Sequence, residues 1–172
     1  MSGGAPAWTL TPLTEAERPL LMRLAELYLY DFSEILGWEI GDDGRFVQNS
    51  FFDRYGAEPG HHALLLRSGR HPAGFALVDE HGSLPGGDAR HVIAEFFVVR
   101  AHRRKGLGAA VAREIFDRFP GGWRVLQRAD NAAAQAFWRR VIAGYTGGRY
   151  TERRTADGDV VQEFDTADKV VG

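Results

Sequence analysis

The chain of 172 residues contains no cysteine. That one absence excludes disulfides, thiolate metal sites and a cysteine acyl-enzyme. Nor does any apolar run approach the roughly 20 residues that a membrane span requires, and Met1 to Ala7 lacks the charged-then-apolar layout of a secretory leader. The expectation is a cytoplasmic protein with no membrane partner. Excess charge is also scarce. Twenty-one Lys and Arg face 23 Asp and Glu, a net charge of −2, so bulk attraction to nucleic acid is not expected. The six histidines (His61, His62, His71, His81, His91 and His102) form no helical i, i+4 pair, and no metal site is expected. A length of 172 residues suffices for one buried core. The reading is a single domain over 1–172, with 1–7 and 166–172 as flexible tails.

What charge there is collects locally. Arg103, Arg104 and Lys105 precede Gly106, Leu107 and Gly108, between an apolar run (His91 to Arg100) and a helix-like run (Ala109 to Phe119). A strand that feeds a glycine turn opening a helix can hold an anion, because first-turn N–H groups have no intrahelical acceptor and the helix dipole is positive there. Two glycines let phosphate oxygens approach the backbone. The plainer reading is a basic surface turn. A Walker loop is excluded, since Lys105 precedes Gly106 and alanines follow Gly108, and a dinucleotide fingerprint lacks its third glycine at Val111.

Periodicity organises the remainder. Trp8 to Leu13 reads as a strand, and Leu20, Leu24, Leu27, Tyr28 and Ile35 recur at helical spacing behind Pro19. Val47, Phe51, Phe52 and Tyr55 suggest a short second helix. Ala63 to Arg67 and Gly74 to Val78 form a predicted hairpin, Glu80 to Asp88 a loop, and His91 to Arg100 a strand covered on both faces. A helix stopped by Pro120 and Gly121, a strand at Trp123 to Gln127, and a helix from Asn131 to about Ile142 follow. Arg149 to Arg153 and Val160 to Phe164 flank an Asp157-Gly158 turn. The sum is α/β with a mixed sheet of about seven strands and about four helices.

In order, Glu95 to Val99, Arg103-x-x-Gly106-x-Gly108-Ala109, Asn131-x-x-Ala134-x-x-Phe137-Trp138 and Gly144-Tyr145 resemble the signature of the GNAT superfamily of acyl-CoA N-acyltransferases. The match spans about a third of the chain. The resemblance implies a sheet splayed into a V between its fourth and fifth strands, with acetyl-CoA as acyl donor in that cleft and no metal. It implies pantetheine pairing with the backbone of Phe97, Val98 and Val99. Pyrophosphate would lie on Arg103, Arg104, Lys105, Gly106, Leu107, Gly108 and Ala109, with further donor contacts from Asn131, Ala134 and Trp138. Core packing of the hydrophobes, and a helix cap for Asn131, are the alternative readings and are compatible with these roles.

The chemistry constrains the remaining candidates. An alkylammonium of pKa about 10.4 is mostly protonated at pH 7, so a base is useful, whereas the leaving thiolate needs an acid less. Glu95 interrupts an apolar strand, where a carboxylate is costly unless it meets water, a partner or a ligand. It is the candidate base, the alternative being an ion pair with Arg100 or Arg128. The family's usual acid, a tyrosine, is replaced by Trp138, which has no proton to give. Tyr145 is the candidate substitute, with Tyr150 or water as alternatives and core packing as its plain reading. The resemblance places the acceptor, a small-molecule or peptide amine, against the first two helices and their connection. Tyr28, Asp31, Phe32 and Trp38 are the chosen contacts, with Tyr30, Glu34, Glu39 and Tyr55 nearby. Acids beside aromatics suit a cation; the alternative is a solvated helix face.

The expected function is direct acetyl transfer to a primary amine in a ternary complex, the carbonyl polarised by a backbone N–H near Val99. A noncatalytic acyl-CoA sensor, or less favoured a nucleotide- or RNA-binding module, are the rival readings. The protein is expected as a monomer or homodimer.

Overall fold

The computed structural model describes residues 7–46, 51–80 and 90–170. Val47 of the expected second helix, 81–88 of the expected loop including His81, and residues 1–6 and 171–172 of the expected tails lie outside the described residues. Seven strands form one sheet in the order β1-β2-β3-β4-β5-β7-β6: β1 (Trp8–Pro12), β2 (His61–Ser68), β3 (His71–Glu80), β4 (His91–Val98), β5 (Gly122–Gln127), β6 (Thr151–Arg154) and β7 (Val160–Asp165). Three α-helices accompany them among the described residues: α1 (Arg18–Leu36), α2 (Leu107–Arg118) and α3 (Ala132–Thr146). None is long and apolar enough to cross a membrane. By contact density the chain divides into two compact units. The first runs to Leu77 and takes in Glu95–Arg103; the second comprises Val78–Ala94 and Arg104 onward.

In the first unit α1 carries Pro19 in its first turn, where the missing N–H costs nothing. It ends at Gly37, where φ is +64° and the N–H reaches Ser33 O at 2.8 Å. Leu21, Leu24 and Ala25 are buried, and the same helical spacing carries that face on to Tyr28 and Phe32. β1 runs antiparallel to β2, from Trp8↔Ser68 to Pro12↔Leu64. The helix expected around Phe51 is a 3-10 turn, Phe51–Arg54, with Phe52 buried. Tyr55, read from sequence as a neighbour of the acceptor, is buried and packs against the rings of Phe51 and His61.

In the second unit β4 pairs parallel with β5 at His91↔Trp123, Val92↔Arg124 and Ile93↔Val125, while β7 lies antiparallel to both β5 and β6. Val111, Ala112, Ile115 and Phe116 bury one face of α2. Phe116 sits among the rings of Trp123, Tyr145 and Phe164. Polar side chains in this core pair across strands. Arg124, 1% exposed, donates from Nε to Glu163 at 2.8 Å, and Gln127 donates to Gln162 at 3.1 Å. The stretch expected as a tail from residue 166 differs from that reading over 166–170. Thr166–Asp168 form a 3-10 turn, Lys169 pairs with Asp117, and the Val170 N–H reaches Tyr145 O at 2.8 Å.

One contact in the first unit controls the spacing of β3 and β4. A Cβ on Gly74 would lie 2.0 Å from the carbonyl oxygen of Phe97, a separation that only glycine avoids. Gly74→Ala should destabilise the protein by about 1–3 kcal/mol, read as a lower denaturation midpoint. Phe97→Ala should not rescue it, because the clash is with backbone.

Candidate active site

β4 alternates its side chains, so Ile93, Glu95 and Phe97 share one face. The structure brings Tyr28 of α1 to that face: its hydroxyl donates a short hydrogen bond to Glu95 Oε2. The Tyr28 ring is held edge-on by Phe32, Phe75 and Phe97, with centroids 4.8, 5.7 and 5.8 Å away. Burial, followed by the charge of Glu95 and the hydrogen bond to it, pushes the Tyr28 phenol well above its usual pKa. The phenol therefore keeps its proton and remains a donor to the carboxylate. The arginines weighed as ion-pair partners of Glu95 have carboxylates elsewhere: Arg100 donates to Asp31, and Arg128 to Asp130.

Asp31, one turn along α1 from Tyr28, does not present an open carboxylate to an ammonium group. Oδ1 accepts from Arg100 Nε and Nη2 at 3.0 and 2.7 Å, and Oδ2 accepts from Arg103 Nη2. Burial pushes the Asp31 carboxyl up, but hydrogen bonds from Arg103 and Arg100 outweigh it and hold the group below the ordinary carboxylate range. Arg103 also differs from its expected use as a mobile phosphate ligand. Its Nε donates to Val98 O at 2.6 Å and its guanidinium lies 5.5 Å from the centroid of Phe97. Of the other acceptor candidates, Phe32 packs on Tyr28 and Trp38 is 47% exposed.

A carbonyl-polarising N–H is expected near Val99. The Val99 N–H donates to Ala73 O at 2.9 Å, so it faces β3 and is occupied. Backbone groups alternate in direction along a strand, which turns the N–H and C=O of Val98 toward the other edge of β4.

After β4, Arg100–His102 form a 3-10 turn and Arg103 is extended (φ −73°, ψ 162°). Arg104 then has φ +62°, the one left-handed non-glycine among the described residues, and Gly106 has φ +78°. A left-handed arginine costs about 1–2 kcal/mol. Gly106 opens α2, whose first bond to a residue four back is Ala110 N–H to Gly106 O at 3.0 Å. The N–H groups of Leu107, Gly108 and Ala109 precede that ladder. Nothing lies within 4 Å of where a Gly106 Cβ would stand, and Arg104 and Lys105 are exposed. Bare backbone, open space and cations make this loop fit a pyrophosphate.

The α3 candidates divide. Asn131 caps the helix, its Oδ1 accepting from the Ala134 N–H at 3.0 Å. Its NH2 is a separate donor. Ala134 is half-buried at the start of the helix. Trp138 is 5% exposed and packs against Phe116 and Phe137. Tyr145 is the residue expected as the acid. Tyr145 is buried, and its hydroxyl donates to Asp117 at 2.8 Å, where Lys169 also binds. Burial, then the hydrogen bond to Asp117 and its charge, raise the phenol further from any useful acidity. Tyr150 follows α3 as a half-buried residue. Among the described residues no cluster of His, Asp or Glu could hold a metal. Sequence reasoning missed Phe75 in the ring set, Arg100 and Arg103 on Asp31, and Asp117 under Tyr145. All are pairings between distant segments that no local pattern encodes.

A seven-stranded mixed sheet carrying a basic glycine loop before α2 defines a class of acyltransferase. The family model described as acetyltransferase (GNAT) family matches residues 21–145, and the chain belongs to that family, which uses acetyl-CoA as donor. Solved structures agree in fold. An acetyltransferase from Thermus thermophilus superposes with TM-score 0.66 at 18% identity, covering 92% of this chain and 96% of that one. The ribosomal-protein-S18-alanine N-acetyltransferase from Escherichia coli gives 0.60 at 16%, covering 96% of each. A histone acetyltransferase HPA2 and related acetyltransferase from Corynebacterium glutamicum gives 0.64 at 14%, covering 96% and 98%. No curated protein matches the chain by sequence.

Tyr145→Phe should leave kcat unchanged while costing about 1–2 kcal/mol of stability. A phenol whose folded pKa is raised contributes fully below about pH 10 and loses that contribution as pH rises through the folded value. The variant should therefore lose less stability than the wild type on going from pH 9 to 11, measured by denaturant titration.

Proposed function

We propose that this protein transfers an acetyl group from acetyl-CoA to a primary amine by direct attack in a ternary complex, with Glu95 as the base. The observation that carries the reading is the Arg103–Gly108 backbone: an extended residue, a left-handed arginine and a left-handed glycine open directly onto the first-turn N–H groups of α2. Pyrophosphate oxygens would accept from the N–H groups of Leu107, Gly108 and Ala109, with Arg104 and Lys105 adding charge. Pantetheine would lie along the edge of β4 that Val98 presents, not on the Phe97 and Val99 groups that face β3; on α3 the candidates for donor contact are the NH2 of Asn131, Ala134 and Trp138. The thioester carbonyl would take its hydrogen bond from the Val98 N–H.

Glu95 suits a base because Tyr28 holds its carboxylate in one orientation. The acceptor's ammonium gives one proton to Glu95, directly or through water, and the neutral nitrogen so formed attacks the thioester carbon. The new C–N bond forms as the C–S bond breaks. The surplus proton on the new amide nitrogen passes through water to the leaving thiolate, a free thiol of pKa about 8.5 being a tolerable leaving group. Phe32, Tyr28 and Trp38 offer aromatic surface to the acceptor amine. Asp31, bound to two arginines, is assigned no acceptor contact.

Two measurements test this. Calorimetric titration with acetyl-CoA should saturate, and Gly106→Glu should abolish binding while the protein stays folded by circular dichroism. Binding with no turnover across an amine panel would favour the sensor, and no binding would overturn the assignment. Glu95→Gln should lower kcat/KM by about 10²–10⁴ and remove the acid limb of its pH profile, with acetyl-CoA affinity held within about twofold of the wild type.

A further inference from the structure

Asp31, on the acceptor-side helix, grips two arginines of the segment that leads into the glycine loop. The Arg103 guanidinium is committed three ways: to Asp31 Oδ2, to the Val98 carbonyl and to the face of Phe97. It is thus fixed to the end of β4, and the next residue along the chain is Arg104, in its unfavourable left-handed conformation. Such a conformation persists only where the surroundings over-determine it. On the N-terminal side of Arg104, the fixed point is Arg103.

We propose that Asp31 is a positioning residue for the acyl donor: through Arg103 it fixes the backbone entering Arg104–Gly108, and so presets the loop N–H groups for a pyrophosphate. The inference rests on the reading of that loop given above. It changes the part played by the signature arginine, which acts by anchoring the loop and not by touching phosphate. A lysine at 103 would not serve, because one ammonium cannot reproduce the planar fork that reaches Val98 O and Asp31 together. Arg100, 68% exposed, shares Asp31 but lies three residues before Arg103 and is a helper only.

The test compares two ligands, CoA and acetyl-pantetheine, which lacks the diphosphate, by calorimetry and by competition. Asp31→Asn and Arg103→Lys should each weaken CoA binding about 10-fold and leave acetyl-pantetheine unchanged. The double variant should be no worse than either single one, as for residues acting as a unit. Arg100→Ala should change CoA affinity less than about threefold. A merely structural role for Asp31 predicts both ligands weakened in proportion, which would overturn the proposal, as would wild-type CoA affinity in both folded single variants. If the wild type itself binds CoA no better than acetyl-pantetheine, the loop reading fails and this inference goes with it.

Discussion

A carboxylate on a largely apolar strand sets the terms for the first unit. Glu95 stands between Ile93 and Phe97 on one face of β4, where an ionised group is tolerated only with hydrogen bonds to hold it. Tyr28 supplies one, and to do so α1 must present the face that continues Leu21, Leu24 and Ala25. The ring of Tyr28 is in turn seated by Phe32, Phe75 and Phe97, which come from α1, β3 and β4. One polar requirement thereby fixes the rotation of a helix and recruits an aromatic layer from three elements.

Much of this architecture was legible in the sequence. Each described strand was anticipated to within a few residues, because apolar runs and glycine or proline stops are local signals. Of the second expected helix, the described part at Phe51–Arg54 is a 3-10 turn. The loop was legible because glycines between a strand-like and a helix-like run mark a turn, and Gly106 takes a left-handed φ of +78° there.

The site was readable by residue type more than by role. Glu95 stood out because charge in an apolar run is conspicuous, whereas its partner Tyr28 was read as an acceptor contact. Asp31 and Arg103 were assigned to two different ligands, yet they bind each other across 72 positions. Tyr145 was chosen for its hydroxyl, and that hydroxyl donates to Asp117. In each case the deciding fact is which group an ionisable side chain meets in three dimensions, and spacing along the chain carries no record of it.

The left-handed Arg104 has an implication for how this protein tolerates change. Glycine there would relax the backbone, and asparagine would partly do so, so an engineer seeking only thermal robustness would replace it. Either replacement removes a cation beside the turn proposed to hold pyrophosphate. At this position selection for a sturdier fold and selection for a charged donor pull in opposite directions, and the arginine records which of the two prevailed.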